Sequence, residues 1–308
     1  MRYLVVGAGA LGGYFGGRLI EAGHDVTFLL RPGRARALQA TGLVVKSRFG
    51  DLSLPAPPFV LAADVASTYD VVVVGCKAYD LADTMASFAP AVGPGTAILP
   101  LLNGMRHIDE LALRFGRERV LGGLCLISAT LDAAGAVEHL NDLHTLVFGE
   151  LDGTASARVA ALERDFATTK FDGRASAEIL LEMWEKWVFI ASAAGITCLM
   201  RATIGQIVAG GGAGSGVALL VECRGIAAAN GFAPRPPAIE WARAMLTAAG
   251  SPISASMLKD IERGGAVEAD HVLGDLIARD PGPPQGVSLL RAAYAHLKAY
   301  EARRAQHA

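Results

Sequence analysis

Several groups of residues in this chain have types and spacings that suit chemistry. Gly7-Ala8-Gly9-Ala10-Leu11-Gly12 is a G-x-G-x-x-G string that directly follows an apolar run and opens a helical one. In that setting Gly7 permits a tight turn, Gly9 lets the backbone approach a pyrophosphate, and Gly12 lets the helix pack on the strand. Ala10 and Leu11 begin the helix, whose unpaired N–H groups and dipole favour phosphate. The string predicts a dinucleotide site, the plainer alternative being a glycine-rich strand-to-helix turn. The next strand, Val26-Thr27-Phe28-Leu29-Leu30, ends in Arg31, with Arg34 and Arg36 close behind, whereas Asp25 stands at its other end. A guanidinium at that end suits a 2′-phosphate, because it presents a planar fork of donors. This favours NADP(H) over NAD(H); the bland alternative is a solvated helix start.

Two further polar groups stand where apolar strands end. Val71 to Cys76 runs into Lys77-Ala78-Tyr79-Asp80, and Ile98 to Leu102 runs into Asn103-Gly104-Met105. Ligands of parallel sheets bind at the carboxyl ends of the strands, so Lys77 lies at that mouth, and Asn103 could hydrogen-bond a nicotinamide, a ribose or a substrate. Asn-Gly is also an ordinary turn. Lys186 lies in Glu182-Met183-Trp184-Glu185-Lys186-Trp187-Val188-Phe189, at the start of the most apolar helical run. Desolvation among Trp and Phe would bring its pKa toward the range of a general acid. A Glu182–Lys186 surface pair explains the spacing equally well.

The elements that must position these groups fall into two textures. Tyr3–Val6, Val26–Leu30, Val71–Cys76, Ala97–Leu102 and Val120–Ile127 are apolar on both faces and read as buried parallel strands. Ala10–Ala22, Arg34–Thr41, Asp80–Phe88 and Arg106–Arg114 read as helices between them, which is a doubly wound sheet. Leu43–Leu61, with Pro55, Pro57 and Pro58, reads as an irregular or antiparallel excursion; Thr145–Gly149 suits a further strand and Thr154–Thr168 a helix. From Ser176 onward the runs Ala177–Met200, Gly216–Asn230, Ala238–Ala249, Met257–Arg263, Glu268–Arg279 and Val287–Arg304 carry helical spacing. Gly210 to Gly216 reads as a flexible turn, Ala233–Pro237 and Asp280–Pro284 as breaks, and Ala302–Ala308 as a frayed tail. The expected division is 1–173 for a dinucleotide-binding α/β domain and 174–308 for an all-α domain.

Composition bounds the function classes. The 308 residues carry 28 Lys+Arg against 30 Asp+Glu, a net charge of −2, which argues against a nucleic-acid partner. With 52% hydrophobic and 19% charged residues the chain can bury a core and is not of disordered composition. The four cysteines, Cys76, Cys125, Cys198 and Cys223, form no Cys-x-x-Cys pair and suit reduced thiols in a cytoplasm. The longest apolar stretch, Val188 to Met200, is 13 residues, short of the roughly 20 that cross a bilayer, so no membrane association is expected. The apolar N-terminus is interrupted by Gly7, Gly9, Gly12 and Gly13 and reads as strand and turn rather than a signal peptide.

Taken in order, Gly7-x-Gly9-x-x-Gly12, Lys77-Ala78-Tyr79, Leu102-Asn103-Gly104-Met105, Trp184-Glu185-Lys186 and Ser256-Met257-Leu258-x-Asp260 followed by Glu268 resemble the ketopantoate reductases (2-dehydropantoate 2-reductases). The resemblance implies a Rossmann-type first domain and a second domain like the C-terminal domain of 6-phosphogluconate dehydrogenase. It implies NADPH-dependent reduction of 2-dehydropantoate to pantoate on the route to pantothenate, or of a related small 2-oxo acid. Lys186 then matches the catalytic lysine that protonates or polarises the ketone oxygen, and Glu268 a glutamate near substrate and lysine. Ser256 matches a substrate-binding serine, Asn103 and Lys77 match cleft positions, and Arg31 matches a 2′-phosphate contact. The family pattern has asparagines one and two turns after the lysine, where this chain has Ile190 and Ala194; Ser192 and Thr197 are the polar residues nearby that could replace them. A pocket without those amides suits a more apolar 2-oxo acid or another ketone.

Alternatives from other classes are a related two-domain dehydrogenase of hydroxy acids and a sensor that binds NADPH without turnover. A sensor has no chemical need of Lys186, Ser256 and Glu268. Glu138-His139 with Asp142 and His144 has metal-ligand types, but a solvated strand and loop is the simpler reading, and no metal is expected. The apolar helices of the second domain could form a homodimer interface.

Overall fold

A computed structural model describes residues 1–282 and 286–306. Pro283 and Pro284 of the expected break, and the end of the expected frayed tail at His307 and Ala308, lie outside the described residues. The chain divides into a first unit, Met1–Leu102 with His107–Ile179, and a second unit, Asn103–Arg106 with Leu180–Ala308.

In chain order the first unit contains β1 (Arg2–Val6), α1 (Ala10–Glu21), β2 (Asp25–Leu30), α2 (Pro32–Thr41), β3 (Leu43–Lys46), β4 (Leu52–Leu54), β5 (Phe59–Leu61), β6 (Val71–Val74), α3 (Leu81–Phe88), β7 (Ala97–Pro100), α4 (Arg106–Phe115), β8 (Leu121–Leu131), β9 (Val137–Glu150), α5 (Ala157–Phe166) and β10 (Asp172–Ala175). One sheet runs β5-β2-β1-β6-β7 with every pair parallel. Its interior strands are covered on both faces, so they read as unbroken aliphatic runs. The four valines of β6 are all buried. The expected parallel sheet is therefore present, with β5, from the proline-rich excursion, at its edge beside β2.

The run Val120–Ile127, expected as another parallel strand, keeps that pairing only at Val120, which bridges Ile98 of β7 in parallel, and from Leu121 onward it belongs to a second sheet. There β8 pairs antiparallel with β9, from Leu121 opposite Glu150 to Leu131 opposite Val137. The reason is the connection. The turn after Leu131 closes with the Asp132 N–H donating to the Ala136 carbonyl at 2.9 Å, too short for a crossover, so β9 returns antiparallel to β8. The same sheet takes β10 on β9 and carries on through β3 to β4. A core of aromatic and aliphatic side chains, including Tyr14, Phe15, Phe28, Phe148 and Phe166, fills this unit.

The second unit is helical: α6 (Ile179–Met200, whose first residue groups with the first unit), α7 (Ile204–Ala209), α8 (Ala213–Ala229), α9 (Pro236–Leu246), α10 (Ser256–Glu262), a π-helical turn at Asp270–Gly274, α11 (Asp275–Ala278) and α12 (Leu289–Ala305). The glycine-rich stretch expected as a turn is helical from Ala213, and α7 was not expected at all. Thr203 caps α7 in a capping box with Gln206, a T-x-x-Q signal present in the sequence. Glu222 on α8 organises the start of α12, accepting from the Ser288 hydroxyl at 2.6 Å and from the Leu289 and Leu290 N–H groups at 2.8 and 3.3 Å. No disulfide links the four cysteines, and burial pushes the Cys198 and Cys223 thiols up to about 12. Among the described residues no helix is long and apolar enough to cross a membrane.

A partly buried ion pair holds the start of α5. Glu150 accepts from Arg158 Nε at 2.7 Å and Nη2 at 2.6 Å, and from the Ser156 hydroxyl at 2.5 Å. Burial pushes this carboxyl up, but the hydrogen bonds from Arg158 and Ser156 outweigh it and leave it below the usual glutamate range. A depressed folded-state pKa stabilises above the unfolded value and ceases to as pH falls through the folded value. Arg158→Ala is therefore expected to lower unfolding stability by about 1–3 kcal/mol near neutral pH. Denaturant titrations should show that difference shrinking as the pH falls through the ordinary glutamate range toward the lower folded-state value, where the carboxylate protonates.

Candidate functional site

The glycine string forms the connection from β1 to α1. Gly7 sits at φ +88°, in the left-handed region that favours glycine, while its N–H donates to the Leu29 carbonyl of β2 at 2.9 Å. A Cβ on Gly12 would lie 2.0 Å from the Gly7 carbonyl oxygen, so the close approach of helix and strand excludes any side chain there. Gly9 differs. It is the N-cap of α1 in an extended conformation, and a Cβ on it would meet no protein atom within 4 Å. Nothing in the fold requires glycine at that position, whereas a phosphate approaching the helix N-terminus does, and in this respect the loop fits a dinucleotide. Ala10 and Leu11 form the first turn of α1.

Arginines surround this loop in two different ways. Arg34 braces it from α2, its Nε donating to the Ala8 carbonyl at 2.9 Å and its Nη2 to the Gly135 carbonyl at 3.0 Å, and desolvation lowers its pKa. Arg31 is the N-cap residue of α2, directly past β2, and its side chain is 66% exposed. It pairs with Asp80 at 3.0 Å, and the hydrogen bond and charge of that carboxylate raise its pKa. Lys77 precedes a short 3₁₀ turn, Ala78–Asp80, just beyond β6. Arg31 and Lys77 both lie past the carboxyl ends of strands that flank β1.

The second unit holds a pocket of about 140 Å³ whose lining includes Asn103, Ser256 and Glu268. One wall is the face of α6 formed by Phe189, Ile190, Ala193 and Ala194. Another is the segment from Ile253 to Met257, which includes Ser254 and Ser256. That segment is fixed by its backbone: the Ile253 carbonyl accepts from the Ile204 N–H at 2.9 Å, and the Ala255 N–H donates to the Thr197 hydroxyl at 3.3 Å. Glu268 is 9% exposed and precedes the π-helical turn, with its carbonyl accepting from the Val272 N–H at 2.9 Å. Next to Asn103, Gly104 takes φ +82° against His271, which lets this turn close onto the 268–272 segment.

Lys186 is half-buried and is not among the residues lining the pocket. It lies one helical turn before Phe189 and Ile190, on the face that continues into Ala193 and Ala194. Its neighbours fix the helix around it. Trp184 stacks on Phe232 with ring centroids 5.3 Å apart, and the Trp187 indole N–H donates to the Val272 carbonyl at 2.8 Å. Glu185 takes a bidentate pair from Arg235, at 2.8 Å to Nε and 2.5 Å to Nη2.

Ser192 and Thr197 do not replace the missing asparagines. Both are fully buried, and their hydroxyls donate to helix carbonyls one turn back, Val188 at 2.7 Å and Ala193 at 2.6 Å. The α6 wall is therefore without a polar side chain. Sequence reasoning missed Ser254, whose only signal is its place two residues before Ser256, and missed Asp80 as the partner of Arg31. His139 and His144 both lie on β9; their rings stack with Phe49 at 5.6 and 3.7 Å, and Tyr14 hydrogen-bonds His144 Nδ1 at 2.9 Å.

Comparison with known proteins adds to this geometry. Residues 3–153 match the family model for ketopantoate reductase PanE/ApbA, and residues 178–301 match its C-terminal counterpart. An uncharacterized oxidoreductase of Bacillus subtilis (strain 168), YkpB, is 38% identical over 303 residues, covering 98% of this chain and 99% of that protein. The crystal structure of 2-dehydropantoate 2-reductase from Methylococcus capsulatus superposes with a TM-score of 0.86 at 28% identity, over 99% of this chain and 98% of that one. The ternary structure of D-mandelate dehydrogenase with NADH and anilino(oxo)acetate shares the fold, with a TM-score of 0.88 at 18% identity over 99% of both chains.

The two glycines of the loop should separate folding from binding. Gly12→Ala is expected to lower the melting temperature sharply, because backbone must move to admit the methyl group. Gly9→Ala should melt within about 2 °C of the parent, since an unhindered surface change costs under ~0.5 kcal/mol. It should nonetheless weaken dinucleotide binding at least tenfold by fluorescence titration; unchanged binding would remove the loop from the site.

Proposed function

Because this chain belongs to the ketopantoate reductase family, oxidoreductases that act on CH–OH groups, we propose that it reduces a 2-oxo acid, ketopantoate or a relative of it, with NADPH. Residues 1–173 serve as the cofactor domain and 174–308 as the substrate domain. In this reading Gly7, Gly9, Ala10, Leu11 and Gly12 hold the pyrophosphate, Arg31 holds the 2′-phosphate, and Lys77 and Asn103 serve the nicotinamide end. When bound, the reduced nicotinamide supplies the hydride. Lys186 gives a proton to the ketone oxygen. Negative charge builds on that oxygen during the reaction, so an ammonium there stabilises the transition state more than the ground state. Ser256 and Asn103 orient the substrate's polar end, and Glu268 acts beside the lysine. The observation that carries this reading is that Asn103, Ser256 and Glu268, far apart in sequence, line one pocket with Phe189, Ile190, Ala193 and Ala194 of α6, the helix that carries Lys186 one turn earlier.

A second reading, oxidation of a 2-hydroxy acid with NAD(H), draws support from Asp80. Its carboxylate already occupies Arg31 at 3.0 Å and would repel a 2′-phosphate.

Two experiments test these readings. Loss of NADPH absorbance with 2-dehydropantoate and a panel of 2-oxo acids should be visible in the parent. In Lys186→Ala it should fall by about 10²–10³ in kcat with the NADPH Kd nearly unchanged. Turnover equal to the parent's would remove Lys186 as the acid, and tight NADPH binding without turnover on any acid would favour a sensor. For cofactor choice, Arg31→Ala should weaken NADPH at least tenfold and leave NADH unaltered, whereas Asp80→Asn should tighten NADPH several-fold. An Asp80→Asn protein that binds NADPH more weakly would mean that the carboxylate orients Arg31 for the phosphate rather than competing with it.

A further inference from the structure

The pocket in the second unit is chemically two-sided. Its polar groups, Asn103, Ser254, Ser256 and Glu268, come from outside α6. The face of α6 offers Phe189, Ile190, Ala193 and Ala194, and the two hydroxyls on that helix are already committed to the carbonyls of Val188 and Ala193. A small molecule seated here finds hydrogen-bonding partners for one end only.

From this, and resting on the reductase reading above, we infer that the α6 wall is the subsite for the side chain of the substrate. It selects 2-oxo acids whose side chain is a branched alkyl or phenyl-bearing group without a hydroxyl. Size sets a bound, because the whole pocket, its polar end included, has a volume of about 140 Å³, against the ~150 Å³ of an apolar cavity that takes up benzene. Chemistry supports the assignment. A side-chain hydroxyl turned toward Ile190 and Ala194 leaves water without gaining a partner, which disfavours it by roughly 10- to 100-fold. The wall also has an aromatic backing: the Trp241 ring, 49% exposed, lies 4.6 Å from Phe189 between centroids at an interplanar angle of 60°. A ligand that presses on Phe189 therefore changes the surroundings of an indole that turnover does not require.

The test compares kcat/KM for 4-methyl-2-oxopentanoate and phenylpyruvate with that for 2-dehydropantoate, together with quenching of Trp241 fluorescence by each acid. Trp241→Phe separates its signal from those of the buried Trp184 and Trp187. The expected result is a preference of at least tenfold for one or both apolar acids, and a saturable fluorescence change with the preferred acid that is lost in Trp241→Phe. Ala194→Asn should cut the preference at least tenfold, and Ala194→Ser should move it in the same direction if the larger change prevents folding. A parent that prefers 2-dehydropantoate, or a ratio that neither variant moves, overturns the subsite. If no acid oxidises either reduced nicotinamide, the reductase reading fails by itself. The subsite is then decided by fluorescence: saturable quenching by the apolar acids with none by 2-dehydropantoate upholds it, and equal or absent quenching rejects it.

Discussion

The pocket has its shape because α6 is held against the segment from Glu268 to Val272, and the contact that sets their register is the indole N–H of Trp187 on the Val272 carbonyl at 2.8 Å. Trp187 is fully buried, so its N–H must find a partner inside the protein or forfeit the hydrogen bond it made to water. A carbonyl in an ordinary α-helix is normally taken by its own helix. Here the wide turn at Asp270–Gly274 alters that pattern locally, and such turns are frequent where a fold builds a site. Because the indole fixes the height of α6, it also fixes which of that helix's residues face Glu268. The apolar wall follows from this one directional contact as much as from the identities of Ile190 and Ala194.

Much of the first unit was legible in the sequence because aliphatic runs and glycine spacing are direct consequences of packing. Four consecutive valines can hardly be other than a buried strand, and Gly7 and Gly12 occupy positions where backbone conformation or close approach excludes a side chain. The partner of a strand is less legible. Val120–Ile127 has the same composition whether its neighbour runs parallel, as Ile98 does beside Val120, or antiparallel, as β9 does, and the short connection after Leu131 decides the second. Helix α7 escaped notice because the glycines after it outweighed its capping box.

The pocket was legible in a different way. Ser256 and Glu268 carry no periodicity that marks them, and only the resemblance to a family drew attention to them, whereas Asn103 stood out by its place at the end of an apolar run. What the sequence could not show is the fate of Ser192 and Thr197. A serine or threonine one turn from a pocket reads as a ligand-binding group until its hydroxyl is seen bonded to its own helix. The same holds for Arg31 and Arg34, alike in sequence, of which one is turned into the loop as a brace and the other is held at the surface by Asp80.

The anchoring of α12 through Glu222 has a consequence for synthesis of the chain. Ser288 lies 66 residues after the carboxylate that receives it, so α8 is made long before the helix that covers it. Until that helix emerges, Leu219, Leu220 and Ile226, buried in the finished fold, have no lasting cover from α12. A chain that ends before α12 would expose part of an apolar helix, the kind of surface on which chaperones and proteases act.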